Sequence, residues 1–266
     1  MKKIFLLLIM FVLFVSGCGG DSEKDTNSMK HAHVLVIGLD DHYPPMGFRN
    51  EQNEIVGFDV DLAKEVGRRI GATFEFKPID WKNKREEIES GNVDIIWNGT
   101  DITEERKDYM LFSKPYMDNR QIILIKRGAI DKIRTVGDLE GKIVGTQAGS
   151  SSEDYINDTP NLKNSFAEFK TYRNFQDALK ELYDGDVNAI IIDEILARYE
   201  ISKVPPVFQI VEATVGPVTE IAIGFRKNDT ELRDRVQKAF DEMIIDGTAR
   251  KISEQWFQAD IIKRKR

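Results

Sequence analysis

One arginine, a run of serines, several aspartates and two aromatic residues stand where a folded chain could gather them around a small ligand. Asn98-Gly99-Thr100-Asp101 is a turn sequence with small polar side chains and accessible backbone groups, and Thr103-Glu104-Glu105-Arg106 follows it. An arginine so placed offers a planar fork of donors to a carboxylate, through charge-assisted bonds stronger than neutral ones. On spacing alone, a surface Arg106 paired with Glu104 or Glu105 is the commoner arrangement. Gln147-Ala148-Gly149-Ser150-Ser151-Ser152-Glu153 reads as a strand running into a glycine turn, and Ser150 to Glu153 has the form of a capping box. The free N–H groups of a helix start attract a carboxylate or phosphate, although helix caps without ligands are far more numerous. The segment lacks the lysine and glycine spacing of a P-loop. Asp193, in Ile192-Asp193-Glu194, ends a buried run; it could neutralise an ammonium or simply cap the next helix. Asp40 and Tyr43, in Asp40-Asp41-His42-Tyr43-Pro44-Pro45-Met46, and Trp81 after Asp80 add acids and aromatics, though Trp81 would serve equally as core. An arginine, a serine-capped helix start, a buried aspartate and aromatics together complement a zwitterion.

The elements that must hold these residues alternate strictly. Val34–Gly38 reads as a buried strand, and 59–70 carries apolar residues at helical spacing. Strand 73–77, helix 84–90 and strand 93–97 follow. Then come strand 142–146, helix 151–157, strand 167–171, helix 175–183, strand 189–192 and helix 194–201. Strand 221–226 and helices 231–245 and 248–257 complete the pattern. Alternation of this kind predicts an α/β fold with largely parallel sheets, whose ligands sit at the carboxyl ends of the strands. Residues 87–96 echo residues 181–190: each is a helix stopped by glycine and followed at once by a valine-led strand. The first copy ends on Asn98 and the second on Asp193, so two similar lobes would present polar strand ends to a shared cleft. Coincidence between two ordinary helix–strand joints would give the same echo.

The chain has 266 residues, 41% of them hydrophobic, with 38 Lys and Arg against 45 Asp and Glu. This is a globular composition, long enough for two domains of ordinary size, and its net charge of -7 makes it a poor partner for nucleic acid. Met1-Lys2-Lys3 and the apolar run Ile4 to Val15 have the form of a secretory signal, too short to span a bilayer. The run ends in Val15-Ser16-Gly17-Cys18, and Cys18 is the only cysteine, at the position a bacterial lipobox requires. A short membrane anchor with an incidental cysteine is the lesser reading. Residues 1–17 are thus expected to be a lipoprotein signal peptide, 18–32 a flexible tether and 261–266 a solvated basic tail. Lipid on Cys18 would hold the protein at the outer face of the cytoplasmic membrane, or in the periplasm. Metal chemistry finds no support, since His31 and His33 lie at the start and His42 stands alone in a loop.

Several segments carry a family resemblance: residues 37–46, 56–63 and 101–106, Phe112-Ser113-Lys114-Pro115-Tyr116, Leu139 to Gly145, and Asp246-Gly247-Thr248. In order and over nearly the whole chain from Val34 to Phe257, they resemble the extracellular solute-binding proteins, family 3, of bacterial polar amino-acid ABC transporters. The resemblance implies a two-lobed fold of the periplasmic-binding type II class, with two crossover hinge strands and a ligand cleft between lobes. One lobe would hold 33–118 and 219–260, the other 119–218. It further implies that Arg106 clamps the ligand α-carboxylate with help from Ser150 and Ser151. Asp193 and the Gly99 carbonyl would take the α-ammonium, Tyr43 and Trp81 would flank the side chain, and Asp40 would meet its polar end. Asn98, Asp101 and Gln147 belong to the same expected pocket. Two residues depart from the pattern: Asp101 stands where Ser or Thr is usual, and Met46 where an aromatic is usual.

Asp40, Asp101 and Asp193 outnumber Arg106, so the pocket should favour a polar or cationic amino acid over an acidic one. The expected function is capture of that amino acid by hinge closure and its delivery to a permease and ATPase, by a monomer without cofactor, metal or nucleic acid. The alternative is an enzyme on the same scaffold, resembling the cyclohexadienyl dehydratases, for which Glu194 or Asp101 would be the candidate general acid. A detached sensor domain is the third reading.

Overall fold

The strand Val34–Leu39 runs parallel to Thr73–Pro78 along its full length, from Val34 opposite Thr73 to Leu39 opposite Pro78. The computed structural model describes residues 34–264 apart from 130, 131 and 204, so the expected signal peptide, Cys18, the tether, His31 and His33 lie outside the described residues. Ile95–Ile96 pairs in parallel on the other side of Val34–Leu39; Gly224–Arg226 and then Met110–Phe112 complete a five-stranded sheet through antiparallel pairings. A second five-stranded sheet repeats the plan. Glu168–Tyr172, Ile143–Gln147 and Ala189–Asp193 are parallel, and Gln121–Lys126 and Phe208–Thr214 follow through antiparallel pairings. The alternation thus predicts the three parallel strands of each sheet and, within 221–226, the antiparallel Gly224–Arg226, but misses Met110–Phe112, Gln121–Lys126 and Phe208–Thr214. Ile95–Ile96 and Ala189–Asp193, the strands of the internal echo, occupy the same third place in their sheets.

Local chemistry accounts for the helices. Phe58–Ile70 has Asp59 and Asp61 in its first turn and Arg68 and Arg69 in its last, matching the helix dipole, and Gly71 closes it in the left-handed conformation. Phe175–Asp184 starts at Asn174, whose side chain accepts from Asp177 N at 2.9 Å, and stops at left-handed Gly185. The expected strand 93–97 shortens to Ile95–Ile96 because the Asp94 carboxylate accepts from Val36 N at 2.7 Å. Asp94 N still donates to Val36 O at 2.8 Å, so the segment stays sewn to its neighbour.

The expected strand 221–226 divides in two. Thr219–Ile221 pairs antiparallel with Met117–Asn119 as a separate two-stranded crossover, and Gly224–Arg226 enters the first sheet. Helices Thr230–Ile245 and Thr248–Phe257 then return to the first sheet. Phe257 packs edge-on against Phe58 with ring centroids 4.9 Å apart, and Trp256 Nε1 donates to Asp61 Oδ2 at 2.9 Å. The tail is no free terminus where it is described. Ile262 is buried, Lys263 N donates to Tyr116 O at 2.7 Å, and Lys263 Nζ pairs with Asp118 at 2.6 Å and with Glu220, so the strap crosses the hinge strands. The described residues fall within one compact unit, and its two sheets meet with their parallel strands' carboxyl ends on a common cleft.

Candidate functional site

The carboxyl ends of the strands Val34–Leu39 and Ile95–Ile96 deliver Asp40 and the turn Asn98-Gly99 to the cleft. The helix Phe58–Ile70 holds that turn: Asp59 Oδ2 accepts from Gly99 N at 2.7 Å and Oδ1 from the Tyr116 hydroxyl at 2.7 Å. Burial pushes the Asp59 carboxyl up to about 7. Tyr43 enters from the hairpin His42–Tyr43/Gly47–Arg49 and tilts against Phe175 of the second lobe, centroids 6.2 Å apart. Trp81 opens a 3-10 turn capped by Asp80. From the second sheet come Gln147 and Asp193, each the last residue of its strand, and Ser150 and Ser151 at the start of helix Ser151–Asn157. All eleven residues expected from the sequence line one cavity between the sheets.

Arg106 is 1% exposed, so the surface ion pair with Glu104 or Glu105 does not form. Its Nη1 donates to Asp101 O at 3.1 Å and its Nη2 to Gly149 O, across the cleft, at 3.2 Å; Asp154 stands 3.7 Å away. Nε makes no hydrogen bond. Asp193 stands at the N-cap position of helix Glu194–Ser202, but its side chain makes no capping bond, which removes the plain-cap alternative. It accepts instead from Gln121 Nε2 at 2.6 Å and from Asn119 Nδ2, and Asn119 also donates to Asp101 Oδ1 at 3.0 Å. Burial, then the charge of Asp101, pushes the Asp193 carboxyl up to about 6. Asp101 further accepts from Thr219 Oγ1 at 2.7 Å and from Ser151 Oγ, so one carboxylate ties both crossover strands to the opposite lobe. Tyr43 Oη, buried among these acids, makes no hydrogen bond, and burial raises its hydroxyl well above the ordinary tyrosine value. The capping box is displaced by one residue: Ser150 Oγ accepts from Glu153 N at 3.2 Å, but Glu153 returns to Gly149 N at 2.6 Å.

Sequence reading missed Lys84, Asn119, Gln121 and Thr219. Lys84 had one legible signal, its place four residues before Ile88 on the buried face of helix Lys84–Glu89. It is 5% exposed, and its ammonium donates to Gly149 O at 2.7 Å; burial, then the Arg106 charge, lowers it to about 7. Nor does His42 stand alone, since its Nδ1 lies 2.9 Å from Asp41 Oδ1. Asp41 is already paired with Arg49 at 2.5 Å, and a cluster of this kind needs no metal.

The Gly149 turn packs its backbone directly against the Trp81–Lys82 turn of the other lobe. Its φ is +74°, and an added Cβ would lie 2.8 Å from Lys82 Cα and 3.1 Å from Trp81 O. Gly149→Ala therefore strains the turn and holds the lobes apart. It should lose about 1–3 kcal/mol in urea unfolding and enlarge the radius of gyration in solution scattering; a variant as stable and compact as the parent overturns this account.

The family model of the bacterial extracellular solute-binding proteins, family 3, matches residues 35–259. The L-cystine-binding protein TcyJ of Escherichia coli K12 is 29% identical, over 97% of this chain and 96% of its own length. An ABC uptake transporter substrate-binding protein from Streptococcus pneumoniae, solved with histidine, superposes with a TM-score of 0.82 at 34% identity, over 87% of this chain and 95% of that one. An ancestral arginine-binding protein bound to arginine gives 0.78 at 37% identity, over 84% and 98%. These relatives are receptors for amino acids rather than enzymes, and they share the two-lobed α/β architecture with its interlobe cleft. With the matched model spanning nearly all the described residues, this chain belongs to the bacterial extracellular solute-binding proteins, family 3.

Proposed function

We propose that the protein is the lipid-anchored receptor of an ABC importer, capturing a polar, non-acidic L-amino acid between its lobes for delivery to a permease and ATPase. In this reading 33–118 with 219–260 form one lobe, 119–218 the other, and 18–32 the tether. The observation that carries it is the charge distribution of the cavity. A buried guanidinium with an unpartnered Nε faces the same small space as the buried carboxylates of Asp193, Asp101 and Asp40. An α-carboxylate gives Arg106 its missing acceptor, and an α-ammonium sits against Asp193 and the Tyr43 hydroxyl. Three carboxylates against one arginine repel an acidic side chain. The relatives' recorded ligands, cystine, histidine and arginine, fit this ordering.

Thermal unfolding against the L-amino acids, cystine and prephenate tests the receptor role. A ligand at about 100 times its Kd adds roughly 2.7 kcal/mol to stability. One or a few polar amino acids should raise the melting temperature, and Arg106→Ala should abolish the shift. No shift, or turnover of prephenate, overturns the reading in favour of an enzyme.

Ligand affinity should depend on pH through Asp193. The ammonium binds the carboxylate form, whose pKa stands at about 6. Affinity should therefore rise about tenfold per pH unit up to that value and level off above it; a flat calorimetric profile from pH ~4.5 to ~8 counts against the assignment. The sign for stability is opposite. The folded pKa lies above the model value of 3.8, so the stabilising contribution of protonated Asp193 is complete below about 3.8 and is lost as pH rises through about 6.

Anchoring rests on Cys18 at the lipobox position. The full chain expressed in a bacterium should partition into detergent, and Cys18→Ser should leave it in the aqueous phase; equal partition would refute lipidation.

A further inference from the structure

One buried cation has no part in the binding scheme above. Lys84, the first residue of helix Lys84–Glu89, is buried and does not line the cavity. Its ammonium pairs with no carboxylate among the described residues. It donates instead to two backbone carbonyls, Trp81 O at 3.4 Å on its own lobe and Gly149 O at 2.7 Å across the cleft, and it lies 5.4 Å from the centroid of the Trp81 ring. Burying an ammonium without a paired counter-charge is costly, and here what it holds is one carbonyl of the opposite lobe.

That carbonyl is shared. Arg106 Nη2 also donates to Gly149 O, at 3.2 Å, and Arg106 is the residue whose free Nε faces the cavity. A ligand carboxylate draws the guanidinium inward, but it cannot draw Lys84, which lies outside the lining. Gly149 in turn leads into the helix start: Glu153 accepts from Gly149 N at 2.6 Å, and Ser150 Oγ accepts from Glu153 N at 3.2 Å. Whatever fixes Gly149 therefore fixes Ser150 and Ser151 beside it.

We propose that Lys84 is a positioning residue for ligand retention: it keeps hold of Gly149 O when a bound carboxylate takes Arg106, and so keeps the second lobe's helix start seated over the ligand. The inference rests on the receptor reading above and adds the group that holds the lobes together once Arg106 is engaged elsewhere. Because Lys84 touches the ligand nowhere, its contribution is the same for every amino acid the protein binds. Because its bond forms only when the lobes meet, it acts on the escape of the ligand and not on its entry.

Stopped-flow tryptophan fluorescence of the full chain, with Trp81 in the cavity wall as a reporter, tests this with the twenty L-amino acids and cystine. Lys84→Met removes the donor while nearly keeping the side chain's length, and Lys84→Gln removes the charge and shortens the reach. Exchanging a buried charge for an apolar side chain of similar volume is often neutral for the fold; should Lys84→Met not fold, Lys84→Gln gives the same reading. Each variant should raise the dissociation rate of every amino acid that the parent binds by about tenfold or more. Association rates should stay within about threefold of the parent's, and the ranking of ligands should not change. Unchanged dissociation in both variants overturns the inference and leaves the receptor reading intact. So does a loss confined to the association rate, or a loss that falls on one ligand alone, which would put Lys84 in contact with that ligand. Failure of every amino acid to bind the parent, by fluorescence and by calorimetry, sinks both readings together.

Discussion

Arg106 carries a charge out of water, and a buried guanidinium persists only where oxygen atoms surround it. Two of those oxygens are backbone carbonyls from opposite sides of the cleft, Asp101 O and Gly149 O. The first is available because the Asn98–Asp101 turn is held by Asp59 through Gly99 N. The second is available because Gly149 adopts a left-handed turn that brings its backbone against Trp81 and Lys82. Lys84 converges on the same carbonyl. The first lobe therefore sets two cations against one carbonyl oxygen of the second, and the turn leading into helix Ser151–Asn157 is located by electrostatics as much as by packing.

On the other side of the cavity the difficulty is reversed, because Asp101 and Asp193 are like charges in a poorly solvated space. Asn119 answers it by donating to both, and it does so from a crossover strand, the element whose backbone serves both lobes. Gln121, two residues on, supports Asp193 and is itself held by Ser152. Thr219, on the partner crossover strand, supports Asp101. The Asp101 carboxylate is thus accommodated by the hinge. Residual repulsion and burial still appear in the raised pKa of Asp193.

Much of this was legible in the chain. Helical spacing, glycine stops and valine-led strands located the parallel half of each sheet, because such elements are set by local pattern. The eleven cavity residues were legible through turn chemistry at strand ends, together with the family resemblance. Most antiparallel strands were not, since Gln121–Lys126 has no helix after it and its partner Phe208–Thr214 lies far along the chain. Arg106 read locally as a surface residue because its neighbours Glu104 and Glu105 are acidic; its true partner Gly149 is 43 residues away. Asn119 and Gln121 were invisible for the same reason, and Lys84 showed only its place on a buried helix face. Each acquires its role from a contact 18 to 74 residues distant, for which composition and periodicity carry no signal.

The groups that bind the lobes to one another are the groups that line the cavity, and this joins closure to ligand capture. Ser151 Oγ has one proton, and it is donated to Asp101 across the cleft. A ligand carboxylate at the start of helix Ser151–Asn157 would compete for that proton. The loss to Asp101 is tolerable because Asn119 and Thr219 continue to donate to it. Arg106 is similarly divided between Gly149 O and any carboxylate that engages its free Nε. A ligand therefore exchanges one set of interlobe bonds for another routed through itself, and closure is favoured only by the difference between the two sets. Because coupling is reciprocal, whatever tightens the lobes without ligand, the Lys84 and Gln147 bridges included, also changes the affinity with which ligand is held. Discrimination among amino acids in such a receptor is decided by which bridges a given side chain leaves unbroken.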